Sequence, residues 1–164
     1  MGFRRGDRVE VASKEEGFLG SYYAATVIAE VLGKDYIVQY KTLLKDDRSG
    51  PLREIVTAGD VRPRPPQIPA TSFGLYDKID AFDNDGWWVG RIAGKVGLDY
   101  LVNFETTWDQ IVYPMSRLRV HQEWVNVSGY VLRIVFLVTY CREALMMFYD
   151  LDFASIFKLD ALIG

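Results

Sequence analysis

The chain repeats itself, and that repeat limits the fold more than any other feature. Asp7-Arg8-Val9-Glu10-Val11 matches Asp77-Lys78-Ile79-Asp80-Ala81. Ser21-Tyr22-Tyr23-Ala24-Ala25-Thr26-Val27 matches Gly86-Trp87-Trp88-Val89-Gly90-Arg91-Ile92, and Gly33-Lys34-Asp35-Tyr36-Ile37-Val38-Gln39-Tyr40 matches Gly97-Leu98-Asp99-Tyr100-Leu101-Val102-Asn103-Phe104. The blocks keep one order and only the loops differ in length, so the chain is a tandem of two similar units. Each unit reads as short strands. VEV and IDA alternate apolar with acidic residues, and YIVQY and YLVNF are β-branched and aromatic. Glycine-bearing turns separate the second strand from the third. Short strands without a helical period predict a small, strongly curved β-barrel in each unit. Barrels of this size have thin cores, so the two are expected to dock.

The boundaries follow from composition. VRPRPPQIPATS carries Pro63, Pro65, Pro66 and Pro69, and proline at this density makes a stiff, extended linker. The expected division is a first unit over 1–64, a linker over 65–72, a second unit over 73–124 and an apolar extension over 125–164. Arg133, Arg142 and Glu143 interrupt the extension, leaving no uncharged run near the ~20 residues a membrane helix needs. Weak association of this tail with a membrane is the lesser alternative, and no membrane partner is expected. The run Ile134 to Cys141 suits a buried strand or helix segment, and Arg142 to Leu151 has helix-forming composition. The extension is therefore expected to be partly helical, packed on the barrels or without a defined fold.

Charge and rare residues exclude several functions. A net charge of -3 argues against a non-specific nucleic-acid binder and suits a basic partner better. Cys141 is the one cysteine and His121 the one histidine. This excludes an intramolecular disulfide and a Cys/His zinc site, and leaves no room for histidine-based catalysis. No nucleophile–base pair, phosphate loop or metal cluster stands out, so no enzyme, cofactor or metal is expected. MGFRRGDRVEV lacks the apolar run of a signal peptide, and Gly6 stands where myristoylation wants Ser or Thr.

The phrases GDRVEV, EEGFLGSYYAATV, YIVQYK, PLRE and VRPRPP together resemble a plant Agenet domain. YDKIDAFDNDGWWVGRI and LRVHQEW resemble the second Agenet unit that commonly follows it. The resemblance covers residues 1 to 124 and implies an all-β fold of two packed Tudor/SH3-like barrels of the Royal superfamily. It also implies a chromatin reader that binds a lysine-methylated histone tail, and with it a nuclear location, other chromatin proteins being further partners. In the family the HQEW element closes the tandem. Here an apolar tail follows Trp124 directly, as in a truncated or alternatively spliced product or a reading frame that runs into an intron.

A methylated lysine is a weakly hydrated cation, which aromatic rings attract through their quadrupoles while a carboxylate at the rim favours lower methylation states. The resemblance places the cage in the first unit, on Phe18, Tyr22, Tyr23 and Tyr40 with Asp46 and Asp47 as acids. In the second unit the matching positions are Trp88 and Phe104, with Trp108, Tyr113 and the acid Asp85, forming a second cage or peptide contacts. Glu15, Glu16 and Asp83 are an acidic rim or plain solvated turn residues. Tyr36 and Tyr100 read as packing residues, and His121 as a structural hydrogen-bonding residue. Adjacent side chains on a strand face opposite ways, so Trp88 is expected at the barrel mouth and Trp87 against the linker or the other barrel. The alternative function is a scaffold or nucleic-acid (RNA/DNA) adaptor with a basic stripe of Arg62, Arg64, Arg91, Arg117 and Arg119.

Overall fold

The computed structural model describes residues 2–31, 35–126, 134–139 and 144–147. The first unit contains β1 (Arg8–Ala12), β2 (Ser21–Val31), β3 (Asp35–Leu44), β4 (Pro51–Val56) and β5 (Val61–Pro63). The second contains β6 (Lys78–Asp83), β7 (Gly86–Val96), β8 (Asp99–Asn103), β9 (Gln110–Tyr113) and β10 (Leu118–Val120). Both use the same antiparallel pairings: β1 with β2 and β5, β2 with β3, β3 with β4, and likewise β6 with β7 and β10, β7 with β8, β8 with β9. A single 3₁₀ turn precedes the last strand of each, at Ala58–Asp60 and Met115–Arg117. The expected all-β tandem is what forms.

Period-two burial builds the cores. In β2 the buried side chains are Ser21, Tyr23, Ala25 and Val27, with the intervening residues partly exposed. Val9, Val11, Val38 and Val61 complete the first core, while Ile79, Ala81, Ile92, Val102, Leu118 and Val120 are buried in the second. The long strands β2 and β7 each shift register at the same point of the repeat, at Val27/Ala29 and Ile92/Gly94. Such bulges bend a strand enough for it to serve both halves of a small barrel.

The barrels are joined by a strand pair that the sequence does not announce. β2 and β7 run antiparallel with Ser21 opposite Trp88, Tyr22 opposite Trp87 and Tyr23 opposite Gly86. Because Ser21, Tyr22 and Tyr23 are the repeat equivalents of Gly86, Trp87 and Trp88, this pairing is locally two-fold symmetric about Tyr22 and Trp87. It fuses both units into one ten-stranded sheet. Residues 64–72 between them form neither helix nor strand.

Glycine at 90 answers a local crowding. A β-carbon there would lie 2.6 Å from Val102 Cγ1 and 3.0 Å from the Asn103 carbonyl oxygen. Gly90→Ala, although alanine stands at the equivalent position 25, should therefore cost about 1–3 kcal/mol through overpacking. Denaturant titration checks this, and an unchanged midpoint would mean that Val102 gives way freely.

The described residues from Gln122 onward belong to a second unit, separate from the one that ends at His121. Its strands β11 (Gln122–Asn126), β12 (Ile134–Thr139) and β13 (Ala144–Met147) form an antiparallel meander. The second barrel thus ends at His121, and Gln122-Glu123-Trp124 belong to β11. Ala144–Met147, read from composition as helix-forming, is strand, because pairing with Phe136 to Thr139 outweighs a weak local preference. The rest of the expected helix lies outside the described residues.

Candidate functional site

The mouth of the second barrel is built from four loops and strand ends. β6 ends at Asp83, and Asn84 and Asp85 turn the chain with φ of 44° and 62°, the left-handed pair a two-residue hairpin requires. β7 then presents Trp88, whose indole N–H donates to the Asp83 carbonyl at 2.8 Å. Phe104 follows β8, and β9 contributes Ile111 and Tyr113. With Gly17 and Phe18 from the first unit's β1–β2 loop, and with Thr107 and Asp109, these residues line a cavity of about 540 Å³.

Four rings face this space in two pairs. Phe18 and Trp88 have centroids 5.9 Å apart, and Phe104 and Tyr113 meet edge to face at 6.1 Å. The Tyr113 hydroxyl donates to Asp83 Oδ2 at 2.8 Å. Burial first, and that bond to a carboxylate second, push its ionisation well above the ordinary tyrosine range. Arg117 stands 3.7 Å from the other oxygen of Asp83. Asp109 makes no hydrogen bond or ion pair through its carboxylate among the described residues. The β1–β2 loop is tied down on its far side, because Val89 N–H donates to the Gly20 carbonyl at 2.9 Å.

In the first barrel the equivalent rings pack on each other and beneath Gly86, at a burial similar to that of Phe104 and Tyr113, which are 5% and 2% exposed. Tyr23 and Tyr40 pack edge to face at 6.4 Å and are 6% and 7% exposed. Gly86 lies so flat on the Tyr23 ring that a β-carbon there would come within 2.8 Å of it. The Tyr40 hydroxyl donates to Glu54 Oε2 at 2.8 Å, and burial and that carboxylate push its ionisation well above the usual range.

Behind both mouths lies a buried charge cluster with the same local two-fold. Its carboxylates, Glu10 on β1 and Asp80 on β6, are repeat equivalents, as are its guanidiniums, Arg62 on β5 and Arg119 on β10. Glu10 accepts from Arg62 Nη2 at 2.8 Å and from Arg119 Nη1 at 2.7 Å. Asp80 accepts from Arg119 Nε at 2.8 Å and meets His121 Nδ1 on its other oxygen. Arg62 stacks 3.4 Å above the Tyr22 ring and Arg119 4.1 Å above that of Trp87. Burial drives the Asp80 carboxyl upward, but the His121 hydrogen bond and the charges of His121, Arg119 and Arg62 outweigh it and hold it below 3.8. A carboxylate depressed on folding stabilises fully above its unfolded value, and that contribution disappears as pH falls through the folded one. Acid titration of stability should therefore fall away from about pH 4 downward, and Asp80→Asn should flatten that limb. A limb of unchanged steepness in the variant would place the acid sensitivity elsewhere.

The Agenet domain family profile matches residues 6–66. The crystal structure of AGD34 of Arabidopsis thaliana AGDP1 superposes with a TM-score of 0.69 at 38% identity, covering 75% of this chain and 85% of that one. This chain belongs to the Agenet domain family. The crystal structure of ADCP1 tandem Agenet domain 3-4 gives a TM-score of 0.66 at 34% identity, over 75% and 83% of the two chains. Among curated proteins, Arabidopsis AGENET DOMAIN (AGD)-CONTAINING P1 is 40% identical over 127 residues, which are 76% of this chain and 24% of that protein. Arabidopsis DUF724 domain-containing protein 3 is 37% identical over 126 residues, 72% and 18% respectively. The chain thus spans less than a quarter of the length of these two curated relatives.

Of the residues singled out in the first Agenet unit, only Phe18 reaches the cavity, and it does so in the company of the second unit's rings. Tyr22, Tyr23 and Tyr40 are engaged elsewhere, as described. Asp46 and Asp47 lie on the exposed β3–β4 loop, where Asp47 accepts the Ser49 backbone N–H at 2.9 Å and that bond holds its carboxyl low. Glu15 and Glu16 are exposed on the β1–β2 loop, and Asp85 is exposed in the hairpin. In the second unit Trp88, Phe104, Tyr113 and Asp83 line the cavity. Trp108 does not, being 81% exposed with φ of 62°. Sequence reasoning missed Gly17, Asn84, Thr107, Asp109 and Ile111. The alternation Asp109-Ile111-Tyr113, one strand face, was the available signal. The basic stripe is also corrected: Arg62 and Arg119 are in the buried cluster, Arg91 pairs with Glu105 at 2.7 Å and Arg117 faces Asp83.

Proposed function

We propose that this Agenet tandem is a non-enzymatic reader that holds a methylated lysine of a basic peptide, of the histone-tail kind, in the second-unit cavity. One observation carries the proposal: Phe18, Trp88, Phe104 and Tyr113 line one cavity together with the carboxylates of Asp83 and Asp109. Each desolvated ring contributes roughly 0.5–2 kcal/mol to holding a cation. Asp109 adds charge, and an acceptor for an N–H that incomplete methylation leaves in place. Partner and nuclear location belong to this same reading. The nucleic-acid reading loses support, because four of its five arginines already face carboxylates. Titration of lysine-methylated and unmodified histone-tail peptides tests the proposal. The methylated form should bind more tightly with a modest response to salt, whereas equal affinities would overturn it. A steep loss of affinity for RNA or DNA with added salt would favour the phosphate-binding alternative.

A further inference from the structure

We infer that the partner peptide docks as an added β-strand on the free edge of β9, with every second side chain directed over the cavity. The inference takes the cation site from the function proposed above and adds the backbone that delivers the lysine.

Among the described residues β9 pairs with β8 alone, leaving one side open. The register sets Asn103 opposite Gln110, Val102 opposite Ile111 and Leu101 opposite Val112. Just beyond it, Phe104 N–H donates to the Asp109 carbonyl at 2.9 Å and the Phe104 carbonyl accepts Trp108 N–H at 2.8 Å, so Phe104 turns both backbone groups toward the β9 side, as in a hydrogen-bonded pair. Such pairs alternate along an antiparallel ladder. Ile111 and Tyr113 therefore bond inward to β8, while Gln110 and Val112 turn N–H and C=O outward. Asp109, Ile111 and Tyr113 are also the β9-side residues that line the cavity. The edge that offers backbone groups and the face that offers the cation site thus belong to one strand. A chain added at the usual ~4.8 Å strand spacing would carry a lysine opposite Ile111 to the cavity rim.

The equivalent edge in the first unit is guarded. β4 reads Pro51-Leu52-Arg53-Glu54-Ile55-Val56, with proline and two charges, the devices by which sheets discourage a further strand. β9 reads Gln110-Ile111-Val112-Tyr113, uncharged and β-branched at its centre, with Ile111 and Val112 41% and 42% exposed. The unguarded edge is the one whose strand lines the cavity. Asp83 and Asp109 supply the charge complementarity that selects an extended, lysine-bearing peptide as the occupant.

The test uses the full chain and a lysine-methylated histone-tail peptide, beside the same peptide N-methylated on alternate backbone amides. Backbone methylation should weaken binding to the wild-type protein roughly tenfold or more, since several peptide N–H donors are lost at once. Amide exchange at Gln110 and Val112 should slow on binding while that at Ile111, already bonded inward, stays as it was. Val112→Pro removes one outward donor and no ladder bond. It should weaken methylated and unmodified peptides by the same factor. Equal binding of both backbones in either methylation register, with unprotected amides at Gln110 and Val112, would overturn strand addition, and retained methyl discrimination would leave the cation site standing. Loss of methyl discrimination with the backbone effect retained would do the reverse. A peptide-free dimer that Val112→Pro dissolves would assign the edge to a second copy of this chain and overturn the peptide as occupant.

Discussion

Glu10→Ala is expected to destabilise the tandem by about 3–5 kcal/mol, the usual cost of removing one partner from a buried ion network. Glu10 is 1% exposed and holds two guanidiniums, those of Arg62 and Arg119. Truncation leaves two buried cations sharing Asp80, which already receives Arg119 and His121. Chemical denaturation reads the loss directly. A loss below about 1 kcal/mol, the range of an exposed pair, would mean that water replaces the carboxylate and that the cluster is wetter than its burial indicates. The result also bears on binding. Glu10 and Arg62 come from the first unit, Asp80 and Arg119 from the second, so the cluster fixes how the units meet. Phe18 lies over Trp88 only while that arrangement holds.

Trp88→Ala should reduce affinity for a methylated peptide to that for its unmodified counterpart, with a loss of roughly tenfold or more for one cage ring. Trp88 lines the cavity and packs against Phe18, so truncation removes one ring and releases another. The companion variant is Tyr40→Phe, which deletes the bond to Glu54 and leaves the packed ring in place. It should leave peptide affinity nearly unchanged. Calorimetric titration of both variants decides which barrel mouth is used. A Tyr40→Phe effect larger than that of Trp88→Ala would return the site to the first unit.

The tandem was legible because strand periodicity and turn chemistry are local. VEV, YIVQY and their counterparts alternate over a few residues, and a repeat of that alternation means a repeat of the barrel. The adjacent tryptophans were half legible. Alternation puts Trp88 at the mouth and turns Trp87 away. What Trp87 meets, an Arg119 guanidinium on one side and Tyr22 across a strand pair, depends on contacts between units far apart in sequence. The buried cluster was hidden for the same reason. Glu10, Arg62, Asp80 and Arg119 are ordinary charged residues on short strands until the barrels close on them.

By itself, then, the sequence determined two equivalent barrels with aromatic residues at equivalent mouths, Tyr23 with Tyr40 and Trp88 with Phe104. The tertiary structure adds a difference between the two mouths. The β2–β7 pairing is symmetric, but the loops entering it are not. The first unit's long β1–β2 loop carries Phe18 across to wall the cavity over Trp88, whereas the second unit's two-residue hairpin delivers Gly86 onto Tyr23. Loop length can be read from the chain, but its effect on a neighbouring barrel cannot, because that contact exists only once both barrels share a sheet.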